Sequence, residues 1–539
     1  MLAGARIPQL LHHIGDYLSH MFATAQTSCI VGLDAVPVEV EVRVQEGLER
    51  FSILGLGGAA VRESRERILS AVRGAGFDPP QNILVNLAPA EVRKDTASFD
   101  LPIALAIVCA CGGLPQAALE RVSVCGELSL LGDVKSTVGV AAHALAAMER
   151  QDRAVMVPIP NAHEASMVRG VRIVAVSSLA QAVRILCGRE EPETIAAPEA
   201  VSVPTLKSLD DVLGQVVAKR ALAITAAGGH NLLMIGPPGC GKSMLAERLA
   251  TLLPPLSPEE RLEVLRIHSI AGQATDDLLA GVRPVRTPHY VVSDAGLIGG
   301  GSGPRPGEVS LAHRGVLFLD EFPEFRRSAV EALRSPLETG WVQISRAKAS
   351  VTFPARFQLI AAMNPCPCGR FGSHVGTCRC SHHAVRDYLA KLSQPILDRI
   401  DLHVELEAVS VEDLVWAKPS STATSEGLVA SVLVARRRQL ERQGVLNSEL
   451  SEGVLRSSTQ ITDGARALLT EAVRQIGISA RGYTRVLRVA VTIADLAEQD
   501  VVTEEIVAEA VSYRSLDRLS NIVHGTGAYI RGGAAMASR

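Results

Sequence analysis

The run Gly236-Pro237-Pro238-Gly239-Cys240-Gly241-Lys242-Ser243 constrains this 539-residue chain more than any other feature. It stands between the apolar run Leu232 to Ile235 and a segment whose apolar positions Leu245, Leu249 and Leu252 recur at helical spacing. A glycine-rich turn from a buried strand into a helix aims backbone N–H groups and the helix dipole at one spot, which is a phosphate site. Lys242 is then expected to reach the β- and γ-phosphates of ATP, and Ser243 to hold Mg²⁺. A Gly/Pro turn followed by a chance Lys-Ser is the bland alternative, and the strand before it and helix after it argue against that.

Two further apolar runs complete such a site. Val316 to Leu319 ends in Asp320-Glu321. An acid at the end of a buried strand orients Mg²⁺-bound water, so Asp320 is assigned to the metal and Glu321 to the base. Leu359 to Met363 ends in Asn364, which fits a γ-phosphate sensor that places the attacking water. Arg399, within Asp398-Arg-Ile-Asp401, is a candidate arginine finger for a neighbouring subunit's nucleotide, with a surface ion pair as the alternative. Arg481, at a helix start, is a candidate γ-phosphate contact, and Arg485, one turn on, competes for that role.

The remaining pattern divides the chain. Val38 to Val44 alternates strictly and reads as a strand, Val61 to Val72 as one amphipathic helix, and Ile83 to Leu87 as a second strand. These readings place an α/β domain over 21–188, preceded by an extension 1–20 of doubtful status, with Met21 as an alternative start. A Glu/Pro/Ala-rich linker follows at 189–205, then a P-loop αβα core at 206–408, then a helical domain at 409–539. In the last of these Val486, Ala490, Ile493 and Ala494 share one face and strands are not expected. Gly299 to Gly307 reads as a mobile loop.

Bulk composition narrows the function classes. Charged residues are 21% and hydrophobic residues 47%, which excludes wholesale disorder. Aromatics are 3%, too few for broad base-stacking platforms, and the net charge of -3 leaves only a local basic lining to hold nucleic acid. No run approaches the roughly 18–20 apolar residues of a membrane span, and the first twenty residues lack a signal-peptide core, so a cytoplasmic protein is expected. Of ten cysteines, Cys366, Cys368, Cys378 and Cys380 form a C-x-C…C-x-C set. Four thiolates on a short loop suit a closed, structural Zn²⁺ site, with His374, His382 and His383 as alternative ligands.

With these pieces in order, the chain resembles the ComM/YifB family of Mg-chelatase-like AAA+ ATPases from about Met21 to Ser520. Glu63-Ser-Arg-Glu-Arg67, Val85-Asn-Leu-Ala-Pro89 and Phe99-Asp-Leu-Pro-Ile103 look like its Lon-protease-like domain, and Leu397-Asp-Arg-Ile-Asp-Leu-His403 like its ATPase core. The resemblance implies a hexameric ring around branched or single-stranded DNA, bound without regard to sequence, and branch migration in recombination or natural transformation. It also implies a pore hairpin, here Trp341 to Ser345 and Ser350 to Phe353, with Arg346 and Lys348 meeting phosphates near its tip. A solvated hairpin is the plainer reading.

Departures from the family pattern matter. Gly57-Gly58 stands where the family usually has Pro-Asp. Ser98 falls where true Lon proteases carry their nucleophile, but Ala141 falls at their catalytic lysine and cannot accept a proton, so no protease is expected. The competing readings are the ATPase subunit of a magnesium chelatase, a Lon-type peptidase, and a non-motor switch or chaperone.

Overall fold

The computed structural model describes residues 21–514 except 56, 95, 194, 196–207, 302, 347–348, 373–376, 409–424 and 477–478. The extension 1–20, most of the 189–205 linker, Lys348, His374 and the ends of the helical domain at 409–424 and 515–539 lie outside the described residues. The chain forms two units. The first comprises the residues up to 203 with Ser257–Val282 and Ser345–Phe353, and the second comprises the rest.

In the first unit, β1 (Phe22–Val31), β2 (Asp34–Gln45), β3 (Arg50–Leu54), β4 (Asn82–Ala88), β5 (Val122–Val124), β6 (Ala154–Pro158) and β7 (Arg172–Val176) form one mixed sheet, ordered β3-β4-β2-β1-β5-β6-β7. The alternation in β2 does what its period requires: Val38, Val40, Val42 and Val44 are buried. Helix Asp100–Ala110 is buried on every side, which the unbroken apolar run after Asp100 permits, while the Asp100 carboxylate is paired with Arg67 at 2.8 Å. The helix expected over 61–72 is two helices, Ala59–Glu63 and Arg65–Gly74. They meet at buried Ser64, whose hydroxyl donates to the Val61 carbonyl at 2.6 Å and competes with the backbone ladder.

Two buried ionisable groups stand out in this unit. Lys94 is fully buried, and its ammonium donates to the carbonyls of Gly55 (2.9 Å), Leu87 (3.0 Å) and Pro89, joining the loop after β3 to the end of β4. Glu164 accepts from the Ala141 N–H at 2.8 Å, from Asn161 and from the Ser269 hydroxyl. Ser269 lies on helix Pro258–Ala271, which also places Leu265 against Ala141.

In the second unit, β8 (Leu232–Ile235), β9 (Val285–Arg286), β10 (Val316–Leu319), β11 (Gln358–Met363) and β12 (Leu402–Glu405) form a parallel sheet ordered β9-β10-β11-β8-β12. The short apolar runs at β8 and β10 are buried along their whole length, as strands covered on both faces must be. The last helices share this core: Val432, Val486, Ala490, Ile493 and Val507 cluster with Leu232, Phe318 and Ile360. Residues after 408 are not wholly strand-free, since Gln460–Ile461 pairs with Val501–Val502. The Gly299–Gly307 stretch is more ordered than a bare loop: Gly299 and Gly300 pair with Pro306 and Arg305 in a short antiparallel ladder.

Candidate nucleotide site and four-cysteine loop

The strand orders β10-β11-β8 bring the ends of three adjacent parallel strands together, and each end carries a residue singled out above. After β8 the loop turns through Gly239 (φ +79°) and Gly241 (φ +91°), both left-handed, with open space where a side chain would stand. Helix Lys242–Leu252 begins there. Lys242 Nζ donates to the carbonyls of Gly236 (2.8 Å) and Pro237 (2.9 Å) and to Asn364 Oδ1 at 3.2 Å. The lysine and the amide at the end of β11 therefore converge on one point.

From β10, Asp320 Oδ2 accepts the Ser243 hydroxyl at 2.7 Å. The two oxygens that suit a divalent cation already face each other beside the phosphate loop. Glu321 is exposed and adopts a left-handed backbone (φ +52°) while its N–H donates to Asp320 Oδ1 at 2.9 Å. A non-glycine residue in that conformation is the kind of local strain that collects at working sites.

Arg399 is placed differently from a free finger. It is 6% exposed, and its guanidinium donates to Glu338 and to the Pro395 carbonyl. Burial weakens its charge, Glu338 supports it, and the guanidinium groups of Arg334, Arg481 and Arg485 oppose it, so these cations share one neighbourhood. Arg481 is exposed, whereas Arg485 donates to Asp401 Oδ1 at 2.8 Å. Asp401 is 4% exposed. Burial pushes its carboxyl up, but Arg485, then His230 and the Asn231 N–H, hold it well below the usual carboxylate range.

Sequence reasoning missed two residues here. Gln215, itself left-handed (φ +51°), donates to the Cys240 carbonyl (3.2 Å) and to the Glu407 carbonyl (2.8 Å), bracing the phosphate loop from outside. Asn231 accepts the Leu359 N–H at 2.8 Å and donates to the Arg399 carbonyl at 2.9 Å, linking three strands at their starts. The only sequence signal for either is a lone amide beside an apolar segment.

The four cysteines come together. Cys366 Sγ lies 3.3 Å from Cys368 and 3.7 Å from Cys378, Cys368 lies 3.6 Å from Cys378, and all four sulfurs lie within 4.8 Å of one another. Four thiolates bonded tetrahedrally at 2.3 Å would stand about 3.8 Å apart, so the donor set fits a zinc-sized ion. Backbone N–H groups of Arg379 and Arg370 favour the Cys368 thiolate and bring it down to about 6. The loop also touches the glycine-rich turn after β8, because a methyl built on Gly369 would lie 2.5 Å from Pro238 Cδ.

In the first unit Ser98 is buried and exchanges a hydrogen bond with Thr96 at 2.7 Å, while Ala141 is fully buried with its N–H on Glu164. Of the hairpin strands, Trp341–Arg346 and Ala349–Pro354 are formed, one residue longer than expected at the facing ends. No described helix is long and apolar enough to cross a membrane.

Comparison with known proteins agrees with this architecture. Family models described as "Magnesium chelatase, subunit ChlI", "Subunit ChlI of Mg-chelatase" and "Magnesium chelatase, subunit ChlI C-terminal" match residues 208–414, 40–161 and 422–514. The chain is 40% identical to the uncharacterized protein YifB of Escherichia coli K12 over 499 residues, covering 92% of this chain and 97% of that protein. It is 40% identical to the competence protein ComM of Haemophilus influenzae over 496 residues, covering 91% and 96%. The chloroplastic magnesium-chelatase subunit ChlI of Chlamydomonas reinhardtii is 26% identical over 251 residues, covering 41% and 60%. Near full-length identity to YifB and ComM, with three chelatase-type matches along the chain, means that this protein belongs to the ComM/YifB family of Mg-chelatase-like AAA+ ATPases.

Proposed function

We propose that the protein is an ATP-hydrolysing ring motor that acts on DNA, as a branch-migration helicase in recombination or natural transformation. The observation that carries hydrolysis is the convergence of Lys242, Asn364, Ser243 and Asp320 at three adjacent strand ends. The DNA assignment rests on the near full-length identity to a protein named for competence.

In this reading the loop Gly236–Ser243 and Lys242 bind the ATP phosphates, and Ser243 with Asp320 hold Mg²⁺. That ion neutralises phosphate charge when bound. Glu321 takes the proton of the attacking water and Asn364 holds that water in line. Arg399 completes a neighbouring subunit's site, Arg481 contacts the γ-phosphate from the final domain, and the assembly is a hexamer. Cys366, Cys368, Cys378 and Cys380 hold a structural Zn²⁺ that braces the loop beside Pro238. Arg346 and Lys348 contact DNA phosphates, and the first domain is Lon-like without proteolysis, since Ala141 offers no base.

The test is hydrolysis with and without DNA. Branched or single-stranded DNA is expected to raise turnover, and Glu321→Gln to lower it by about 10²–10⁴-fold with ATP still bound. Absence of stimulation by any DNA would replace the motor with a nucleotide-driven switch.

A further inference from the structure

The turn that carries Arg399 is tied to the helix that carries Arg481 by a buried chain of polar contacts that no role proposed so far uses. Asp401, two residues after Arg399, accepts Arg485 Nη1 on one oxygen at 2.8 Å and the Asn231 N–H on the other at 3.0 Å. The Asn231 side chain reaches back to the Arg399 carbonyl at 2.9 Å. Arg485 stands one turn after Arg481 on helix Ala480–Leu496. Two turns further along, Thr492 Oγ1 hydrogen-bonds His230 Nε2 at 2.8 Å, and His230 Nδ1 lies 3.6 Å from Asp401 Oδ2. The helix is thus fastened once to His230 and once directly to Asp401, and His230 in turn lies against Asp401.

Such a contact is costly to build for stability alone, because desolvating a carboxylate and a guanidinium offsets much of their attraction. Its geometry suits another task. A displacement of the helix carries Arg485 and pulls on Asp401 through their 2.8 Å bond, and it carries Thr492, which moves His230 beside the other Asp401 oxygen. Arg399, one peptide from Ile400 and hydrogen-bonded through its carbonyl to Asn231, is then repositioned relative to Glu338.

We propose that Asp401 is a positioning residue which, through Arg485, couples the nucleotide-contacting helix of one subunit to the Arg399 that the same subunit offers to its neighbour. This rests on the trans role proposed for Arg399. Arg485 and Asp401 touch no substrate in this scheme, and they act by setting where the Arg399 guanidinium stands.

Mixed assemblies of two full-length variants test it. A Lys242→Ala subunit lacks a working nucleotide site but keeps Arg399, and an Arg399→Ala subunit keeps the site but lacks the finger. Each alone is expected to be inactive and their mixture to regain hydrolysis. Asp401→Asn is then added to one partner at a time. On the Lys242→Ala partner, which supplies the finger, it is expected to lower the regained rate by about a hundredfold, the loss typical of a misplaced catalytic group. On the Arg399→Ala partner it is expected to leave the regained rate unchanged. Arg485→Lys, which keeps a cation but loses the guanidinium geometry, is expected to show the same dependence on placement and serves if Asp401→Asn fails to fold. Equal losses from both placements would make Asp401 a fold-holding residue and overturn the proposal. A parent mixture that regains no activity would overturn the trans role of Arg399 itself, a distinct failure.

Discussion

Gly369, in the four-cysteine loop, packs so closely on Pro238 of the phosphate loop that a methyl group on it would stand 2.5 Å from Pro238 Cδ. Gly369 is also left-handed, with φ +74°. Gly369→Ala therefore adds a collision to a backbone strain of about 1–2 kcal/mol. We expect ATP affinity to fall by about tenfold, which a nucleotide titration reads directly. Gly372→Ala separates the two causes, since Gly372 has the same φ and, among the described residues, nothing within 4 Å of its would-be methyl. It should cost stability and leave ATP affinity alone, and equal affinity losses in both variants would refute the contact.

Arg481 and Arg485 should behave oppositely. Arg481 is exposed, so Arg481→Ala should change stability by no more than about 0.5 kcal/mol while slowing hydrolysis. Arg485→Ala leaves the 4% exposed Asp401 carboxylate without its guanidinium, a loss of about 3–5 kcal/mol. Denaturant unfolding of both variants alongside turnover checks this, and a strongly destabilised Arg481→Ala would reverse the assignment.

His143 makes the first unit acid-sensitive. It is buried, both ring nitrogens lack partners in the described structure, and burial, with Arg150 nearby, lowers its pKa from 6.5 to about 4. The unfolded chain then binds more protons than the folded one between these values. This contribution is fully present above the unfolded pKa and is lost as pH falls toward about 4, up to about 3 kcal/mol in all. His143→Phe should flatten the pH dependence of unfolding in that window. An unchanged slope between the two proteins would count against a neutral buried imidazole.

Metal content tests the cysteine loop. Protein purified without chelator should carry about one zinc ion per chain, and Cys366→Ser or Cys378→Ser should abolish it. Because Gly369, which packs on Pro238, directly follows Cys368, metal removal should also weaken ATP binding. Zinc far below one per chain in the unmodified protein would remove the metal from the account.

Local chemistry explains what could be read in advance. The phosphate loop, the strands ending at Asp320 and Asn364, and the four cysteines were legible because each is a short run whose residue types and spacing have few other uses. The break at Ser64 was not, since it turns on one hydroxyl returning to Val61 rather than on apolar period. Nor was the tucked position of Arg399, which depends on Glu338 and on Asn231, residues far from it in sequence. The assignment of 257–282 to the first unit was equally hidden. Helix Pro258–Ala271 has an ordinary capping box and an ordinary period, and its allegiance shows only in tertiary contacts such as the Ser269–Glu164 bond, the Arg266–Asp34 pair and the packing of Leu265 on Ala141.

That allegiance bears on how such a protein is inherited. With Ser257–Val282 and Ser345–Phe353 folded into the first unit, the reading frame weaves twice out of the second unit and back. One recombination crossover or gene fission anywhere between 203 and 354 leaves one half without a helix or strand that its core needs. Swapping the first unit for another would take several coordinated exchanges, so the two units are bound to descend together.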